Sequence, residues 1–248
     1  HVSGIVNFGH QQVFPQATIY TCLLLLRREP QAEFHYLKVE DLDTWRTQSQ
    51  PIPSIVSAQS LSLSEWNFVA HAFQPLFQKV TSQGHPLEEL ADIFVGLQTS
   101  ADDVFILDYV SETKSTLILR SRALGGEWTF EKGLLHPLVS GTDVPAYGPL
   151  PHRQFILFPY CVKGNAADLI GFDELQQRFP RCAEYLLKNR KALENREQGK
   201  FHDKAWYRFG RTQNLTRQAF PKLCVPRLVD HLHAAWDADG QVFLDNVD

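Results

Sequence analysis

Pro180-Arg-Cys-Ala-Glu-Tyr-Leu-Leu-Lys-Asn-Arg-Lys-Ala-Leu-Glu-Asn-Arg196 is the stretch from which the fold class is read. Proline suits the first position of a helix, where its missing amide proton has no helical partner to lose, so a helix is expected from Pro180 to about Arg196. At about 100° per residue, Cys182, Leu186 and Leu193 fall on one side and Arg181, Lys188 and Lys191 on the other. Glu184 and Lys188 make a favourable i,i+4 pair. One face of this helix needs a core to dock on, and the opposite face offers a row of cations to solvent.

The core implied by that helix must come from strands around it. Apolar runs predict strands at Ile93 to Leu97, Val104 to Leu107, Thr116 to Leu119 and Phe155 to Phe158, with a polar loop from Gln98 to Asp103. Gly141 to Pro151 is loop-like, and Asp239-Gly240 predicts the turn of a closing hairpin. Strands mixed with helices give an α/β (mixed α+β) fold, with an antiparallel or mixed sheet and one basic helix.

Further upstream, Ile5, Val6 and Phe8, then Val13 and Phe14, then Ile19 to Leu26 predict two or three strands. The last is continuously apolar, the pattern of a strand buried on both faces. Arg27 to Pro53 is a polar connection with one short element at Tyr36 to Trp45. Ser62-Leu63-Ser64-Glu65 is a capping-box pattern opening a helically spaced run of Trp66, Val69, Phe73, Phe77 and Val80, which Pro75 must kink or interrupt. A short helix follows at Leu87 to Ala91. No internal repeat or low-complexity segment is present.

The chain has 248 residues, 44% hydrophobic and 21% charged, which places it with globular rather than disordered proteins. It starts at His1 and contains no methionine, the composition expected of a piece of a longer polypeptide. Cys22, Cys161, Cys182 and Cys224 are too scattered for a disulfide framework or a structural zinc site, and are expected as buried free thiols in a reducing cytoplasm. The longest apolar run is far shorter than the roughly 20 residues a bilayer needs.

Net charge is −4, yet its distribution is uneven. Residues 178–222 hold 12 Lys/Arg against four Asp/Glu, so this stretch carries +8 and the remainder −12. Its tail interleaves Lys200, His202 and Lys204 with Trp206, Tyr207, Arg208, Arg211, Gln213 and Asn214. Cations neutralise phosphates, planar guanidinium and amide groups match base edges, and rings can stack, so the combination points to nucleic acid. Packing of the domain is the stronger reading for Trp206. A solvated helical face, or a regulatory module whose basic helix binds an acidic protein partner, is the alternative.

Catalytic patterns are missing. There is no glycine-rich dinucleotide or phosphate loop after a strand, no G-x-S-x-G elbow and no H-E-x-x-H. His231 and His233 beside Asp230 have chelating spacing but no further ligand cluster, and no metal is expected.

Taken in order, the segments resemble the C-terminal part of the TaqI-like, gamma-type N6-adenine DNA methyltransferases, including single-chain restriction-methylation enzymes. Val13-Phe14-Pro15 through Leu23-Leu24-Leu25-Leu26 resembles the last strands of the catalytic domain. Leu63 through Phe68, Pro86-Leu87 through Asp92-Ile93, and Gly96-Leu97-Gln98-Thr99 resemble the start of the specificity domain. Val139 through Val144 and Ile156 through Tyr160 resemble its middle. Pro180 through Leu186, Lys191 through Leu193, Arg196, Trp206 and Lys222 through Pro226 resemble the basic helix and the strand after it.

The resemblance implies residues 1–40 as the end of a methyltransferase domain and 41–248 as a DNA target-recognition domain. In the family a methyl group passes from S-adenosylmethionine to a flipped-out adenine. The Asn/Asp-Pro-Pro-Tyr motif and the glycine-rich cofactor turn of that chemistry are both missing here; Phe158-Pro159-Tyr160 only imitates the former. The chain itself is therefore expected to hold no cofactor and to be inactive alone, while S-adenosylmethionine serves an upstream methyltransferase domain of the same polypeptide. Double-stranded DNA is the implied partner. Arg181, Lys188, Lys191, Lys200, Lys204 and Arg217 are the expected phosphate anchors, and Arg208, Arg211, Gln213 and Asn214 the expected base readers. The Thr99/Ser100/Asp102 and Thr142/Asp143 loops are the expected second wall.

Overall fold

A computed structural model of the chain describes every residue except 18, 48–51, 62–65, 67, 69–72, 230, 232, 241 and 246–248. The fold is mixed α/β, built from two compact units, His1–Pro86 and Leu87–Asp248. The capping box at Ser62 to Glu65 lies outside the described residues, as does Val69.

In the first unit, β1 (Val2–Asn7), β2 (Cys22–Leu26), β3 (Glu33–Lys38) and β4 (Ser54–Ser57) form a sheet in the order β2-β1-β3-β4. β1 runs parallel to β3 with Ile5 opposite Tyr36, and the outer pairs are antiparallel. Ile5, Phe8 and Phe34 are buried, and Phe8 meets Trp45 of α1 (Leu42–Thr47) edge to face at 4.9 Å between ring centroids. The sheet crosses the boundary expected at residue 40, because β4 pairs with β3 from residues 54–57. α2 (Gln74–Gln83) has Pro75 in its first turn, so the proline starts this helix instead of kinking it.

β2 corrects the reading of Ile19 to Leu26 as a strand buried on both faces. It is an edge strand within this unit, with Leu23 to Leu26 between 47% and 65% exposed. Apolar sequence makes burial favourable, but only a covering layer achieves it.

The second unit holds α3 (Leu87–Leu90), α4 (Asp102–Phe105), β5 (Ile106–Glu112), β6 (Thr116–Ser121), β7 (Glu127–Glu131), β8 (Leu135–Ser140), β9 (Gln154–Leu157), β10 (Tyr160–Lys163) and β11 (Ala166–Leu169). They are followed by α5 (Phe172–Arg178), α6 (Pro180–Lys188), α7 (Arg190–Glu194), α8 (Arg196–Gly199), β12 (Lys222–Cys224), β13 (Ala235–Asp237) and β14 (Phe243–Asp245). Six strands make one sheet in the order β14-β8-β9-β5-β6-β7, antiparallel except for β14 beside β8. β10–β11 and β12–β13 are separate antiparallel pairs.

β6 shows why this sheet has a covered face. Leu117, Leu119 and Ser121 are buried on one side while Arg120 is exposed on the other, the alternation a pleated strand requires. Opposite them on β7 stand Phe130 and Trp128. α5 and α6 contribute Leu175, Cys182, Ala183, Tyr185 and Leu186 to the same core. Each large apolar side chain so buried contributes about 1.5–3 kcal/mol. Tyr185 adds polar anchoring: its hydroxyl lies 2.8 Å from Ser121 Oγ and donates to the Val104 carbonyl at 3.0 Å. The Glu131 carboxylate accepts the Arg181 and Cys182 amides, both at 3.1 Å, putting negative charge where the first turn of α6 has unpaired N–H groups.

The helix expected over Pro180 to Arg196 is interrupted at Asn189, giving α6 and α7. Asn189 is buried, and its side-chain amide donates to the Tyr185 carbonyl at 2.9 Å, competing with the helical ladder. The two faces are as the spacing dictates: Cys182, Leu186 and Leu193 are fully buried, while Arg181, Lys188 and Lys191 are exposed. The strands expected at Thr116 to Leu119 and Phe155 to Phe158 correspond to β6 and β9.

Other expectations are corrected. Ile93 to Leu97 is irregular, tied to β14 through the Leu97 amide and the Leu244 carbonyl at 2.7 Å. Asp102 to Phe105 is a helical turn ahead of β5, where a strand from Val104 was expected; the Thr99 hydroxyl, bonded to the Asp102 carboxylate and the Ala101 amide, bends the chain into that turn. Gly240 does sit in a turn at φ +63°, but the flanking strands part company, β13 pairing with β12 and β14 with β8. Asp237 fixes this divergence, accepting Lys222 Nζ at 2.6 Å and the Val242 amide at 3.1 Å. No helix among the described residues is long and apolar enough to cross a membrane.

Candidate nucleic-acid interface

Three segments of the second unit converge at the end of the basic helices: the 98–102 loop, the α8 turn with Lys200, and residues 203–214. Arg196 ties them together. It is 8% exposed, and its guanidinium donates to the carbonyls of Leu193, Thr99, Trp206 and Arg208 at 2.7–2.9 Å. The same group lies over the Phe201 ring, 4.0 Å from its centroid. Burial, and then the nearby Arg208 charge, lower its pKa to about 10, so it stays protonated at neutral pH. A charged group so placed persists because nearly every donor it has is satisfied.

Backbone pairing reinforces this hub. Gly210 N–H donates to Thr99 O at 2.9 Å and Arg211 N–H to Gln98 O at 3.1 Å. Glycine is needed at 210, since a Cβ there would sit 1.8 Å from Ser100 Oγ. Ser100 (φ +56°), Glu197 (φ +47°), Gln198 (φ +62°) and Asn214 (φ +61°) all hold left-handed backbone around the same junction. Such conformations cost about 1–3 kcal/mol each and gather where a fixed loop shape matters.

Glu197 is the electrostatic centre of the surface. Its carboxylate accepts Ser100 Oγ at 3.1 Å, Arg211 Nη1 at 2.9 Å and Lys200 Nζ at 3.2 Å. Hydrogen bonding to Lys200 and Ser100 leads the causes that hold its pKa below the ordinary glutamate value.

The residues singled out from sequence fall into separate groups. Arg181, Lys191 and Lys204 are exposed with no carboxylate partner among the described residues. Lys188 reaches Glu184 at 3.8 Å and remains half exposed, and exposed Arg217 lies over the Phe94 ring at 5.6 Å. Lys200 and Arg211 share Glu197; Arg208 is bound by both Asp203 oxygens, at 2.6 and 2.8 Å. Exposed pairs of this kind are worth about 0–1 kcal/mol, so another anion can replace the carboxylate.

Trp206 lies in the core as its packing reading has it, not at the surface as a DNA contact, and Tyr207 is corrected from a contact residue to a core residue. They are 3% and 2% exposed, packed with Phe172, and the Tyr207 hydroxyl donates to the Ile170 carbonyl at 2.6 Å. Thr99 is likewise buried. Asn214 is committed inward, its amide donating to the Val95 carbonyl at 3.0 Å. Gln213 is exposed with no such commitment, and Asp102 is exposed beside Thr99. Thr142 and Asp143 are held by Ser140 in their own turn, at 3.1 and 2.9 Å. Phe158 and Tyr160 also belong to the core, the Tyr160 hydroxyl accepting the Phe209 amide at 2.7 Å.

Glu197 and Gln198 were not singled out from sequence; the available signal was Gly199, which ends the helical pattern. A groove of about 840 Å³ lies elsewhere in this unit, lined by Ile93, Phe94, Phe220, Trp236 and others, with Arg217 among them. Among the described residues no His, Cys, Asp or Glu side chains gather as a metal site.

This arrangement defines a class of surface: loops locked by a buried arginine, carrying exposed cations and free amides. The chain is similar to the type II restriction enzyme and methyltransferase RM.Eco57I of Escherichia coli, 27% identical over 229 residues. The match covers 87% of this chain and 23% of that protein, so the chain spans about a quarter of the length of its relative. It is a distant homologue of a restriction-modification protein. No protein-family model matches it.

Proposed function

We propose that this chain recognises duplex DNA for a restriction-modification protein, as the target-recognition part of a gamma-type adenine-N6 methyltransferase. The similarity to a restriction enzyme and methyltransferase across 87% of the chain carries the reading. Arg181, Lys191 and Lys204, exposed and without a carboxylate partner among the described residues, serve as phosphate anchors on this reading, together with Lys188, Lys200 and Arg217. Gln213 and Arg211 are the base readers this geometry favours: Asn214 is occupied within the fold, and Arg211, although paired with Glu197, is 53% exposed where Arg208 is 28% exposed. Methyl transfer from S-adenosylmethionine belongs, on this reading, to another part of the same polypeptide, which docks with this one.

Duplex binding measured against salt tests the proposal. Affinity should fall steeply as salt rises, because each neutralised phosphate releases counterions. Lys191→Glu with Lys204→Glu should weaken all duplexes alike and flatten the salt slope by about two ions' worth, while Arg211→Ala should relax sequence preference. Binding that ignores salt would remove the electrostatic basis of the reading. Retention of a partner after nuclease treatment would favour an acidic protein over DNA.

A further inference from the structure

We infer that Gln198 reads an adenine edge in the major groove from the tip of the left-handed turn Glu197–Gly199. The inference rests on the DNA-recognition reading above and adds a specificity residue to it. Glu197 (φ +47°, ψ +49°) and Gln198 (φ +62°, ψ +33°) are followed by Gly199 at φ +85°, three successive left-handed residues of which only the last is a glycine. An L side chain in that region is crowded by its own backbone, so glycine would hold the same turn at lower cost.

Glu197 has an evident use for its side chain, the bonds to Ser100, Lys200 and Arg211. Gln198 has none inside the fold: it is exposed and makes no hydrogen bond to the described residues. Its position is nonetheless rigid. Arg196, two residues before it, is bonded to four backbone carbonyls, and Glu197 joins the turn to the 98–102 loop and to Arg211. The backbone that carries the amide is thus set before contact, which leaves only the side-chain torsions to be ordered on binding.

The chemistry of the neighbours fits the same role. A glutamine amide offers one donor and one acceptor that match adenine N7 and N6–H together. Lys200 and Arg211, 71% and 53% exposed, stand on the two loops joined by Glu197, where Lys200 can meet a phosphate flanking the base and Arg211 a neighbouring base edge. Gln213, another exposed amide with no hydrogen bond to the described residues, lies two residues beyond Arg211.

Selection from a library of duplexes with a randomised centre, using the wild-type chain, Gln198→Ala and Gln198→Gly, tests the inference. The wild type should enrich particular sequences. Both variants should lose preference for adenine at one position and bind the enriched duplex about 10-fold more weakly or worse, with affinity for unselected duplex and its salt dependence unchanged. Gln198→Gly should also melt at a higher temperature than the wild type, since it relieves the backbone. Full preference in Gln198→Ala, or an equal loss on every duplex, overturns the inference while leaving DNA recognition intact. A wild-type chain that enriches nothing overturns DNA recognition itself, and Gln198 with it.

Discussion

Leu23 to Leu26 on β2 and Leu117 and Leu119 on β6 are chemically alike, yet the first four are about half exposed and the other two are buried. The difference lies in what each sheet faces. β6 and β7 have α6 packed on them, with Tyr185 reaching Ser121 and α5 adding Leu175 to the same core, whereas β2 ends its sheet with only β1 beside it among the described residues. Strand-forming sequence and a covering layer are separate requirements. In this molecule the layer is supplied by the segment that also bears the basic surface, so stability of the core and shape of the interface are linked through the same helices.

The largest test of that link is Arg196→Met. It strips four buried or partly buried carbonyls of their donor, each worth about 1–3 kcal/mol, and should destabilise the second unit by about 3 kcal/mol or more. Amide hydrogen exchange should accelerate across β5 to β7 and α6, with β1 and β3 unaffected. Unchanged exchange there would mean that Arg196 serves the surface alone.

Next, Leu119→Ala should cost about 2–5 kcal/mol through the cavity it leaves, and Leu24→Ala well under about 1 kcal/mol because that side chain is already half in solvent. Urea unfolding monitored in each unit compares them. Equal losses would mean that β2 is covered in solution and would break the contrast.

A pH effect of about 2 kcal/mol sharpens the picture at the other end of the covered sheet. His136 is stacked on Phe243 at 4.1 Å, and burial lowers its pKa from 6.5 to about 4. Between those values the unfolded chain takes up the proton more readily, so this contribution is full above pH 6.5 and is lost as pH falls toward 4. Asp245 works oppositely, since burial raises it from 3.8 to about 6 and stability is gained as pH falls through that range. His136→Phe should therefore gain on the wild type on moving from about pH 8 to about pH 5 in thermal melts. A constant difference would show that His136 is solvated.

Smallest is Glu131→Gln, which removes negative charge from the start of α6 and should cost about 0.3–1 kcal/mol, less at high salt. Salt-independent loss would assign Glu131 a packing role instead.

How much of this was legible in advance varied with the range of the cause. The two-faced character of residues 180–196 follows from side-chain spacing alone, and so do β6, β9 and the concentration of cations. Asn189 was not readable as a helix break, because its effect depends on being buried with its amide turned toward Tyr185. Gln98 to Ala101 was legible as a polar loop, but not the helical turn that starts at Asp102 nor the contact of Ser100 with Gly210 from over a hundred residues away.

Local chemistry, then, is what the chain specified unaided: helix faces, strand periods, a turn at Gly240 and a charge surplus confined to one stretch. Which apolar strand is covered, which cations are tied to carboxylates and which amides stay free were decided by tertiary contacts. The physical reason is that burial and ion pairing depend on what is brought alongside a residue, and Glu197 meets Ser100 only when segments distant in sequence are folded together.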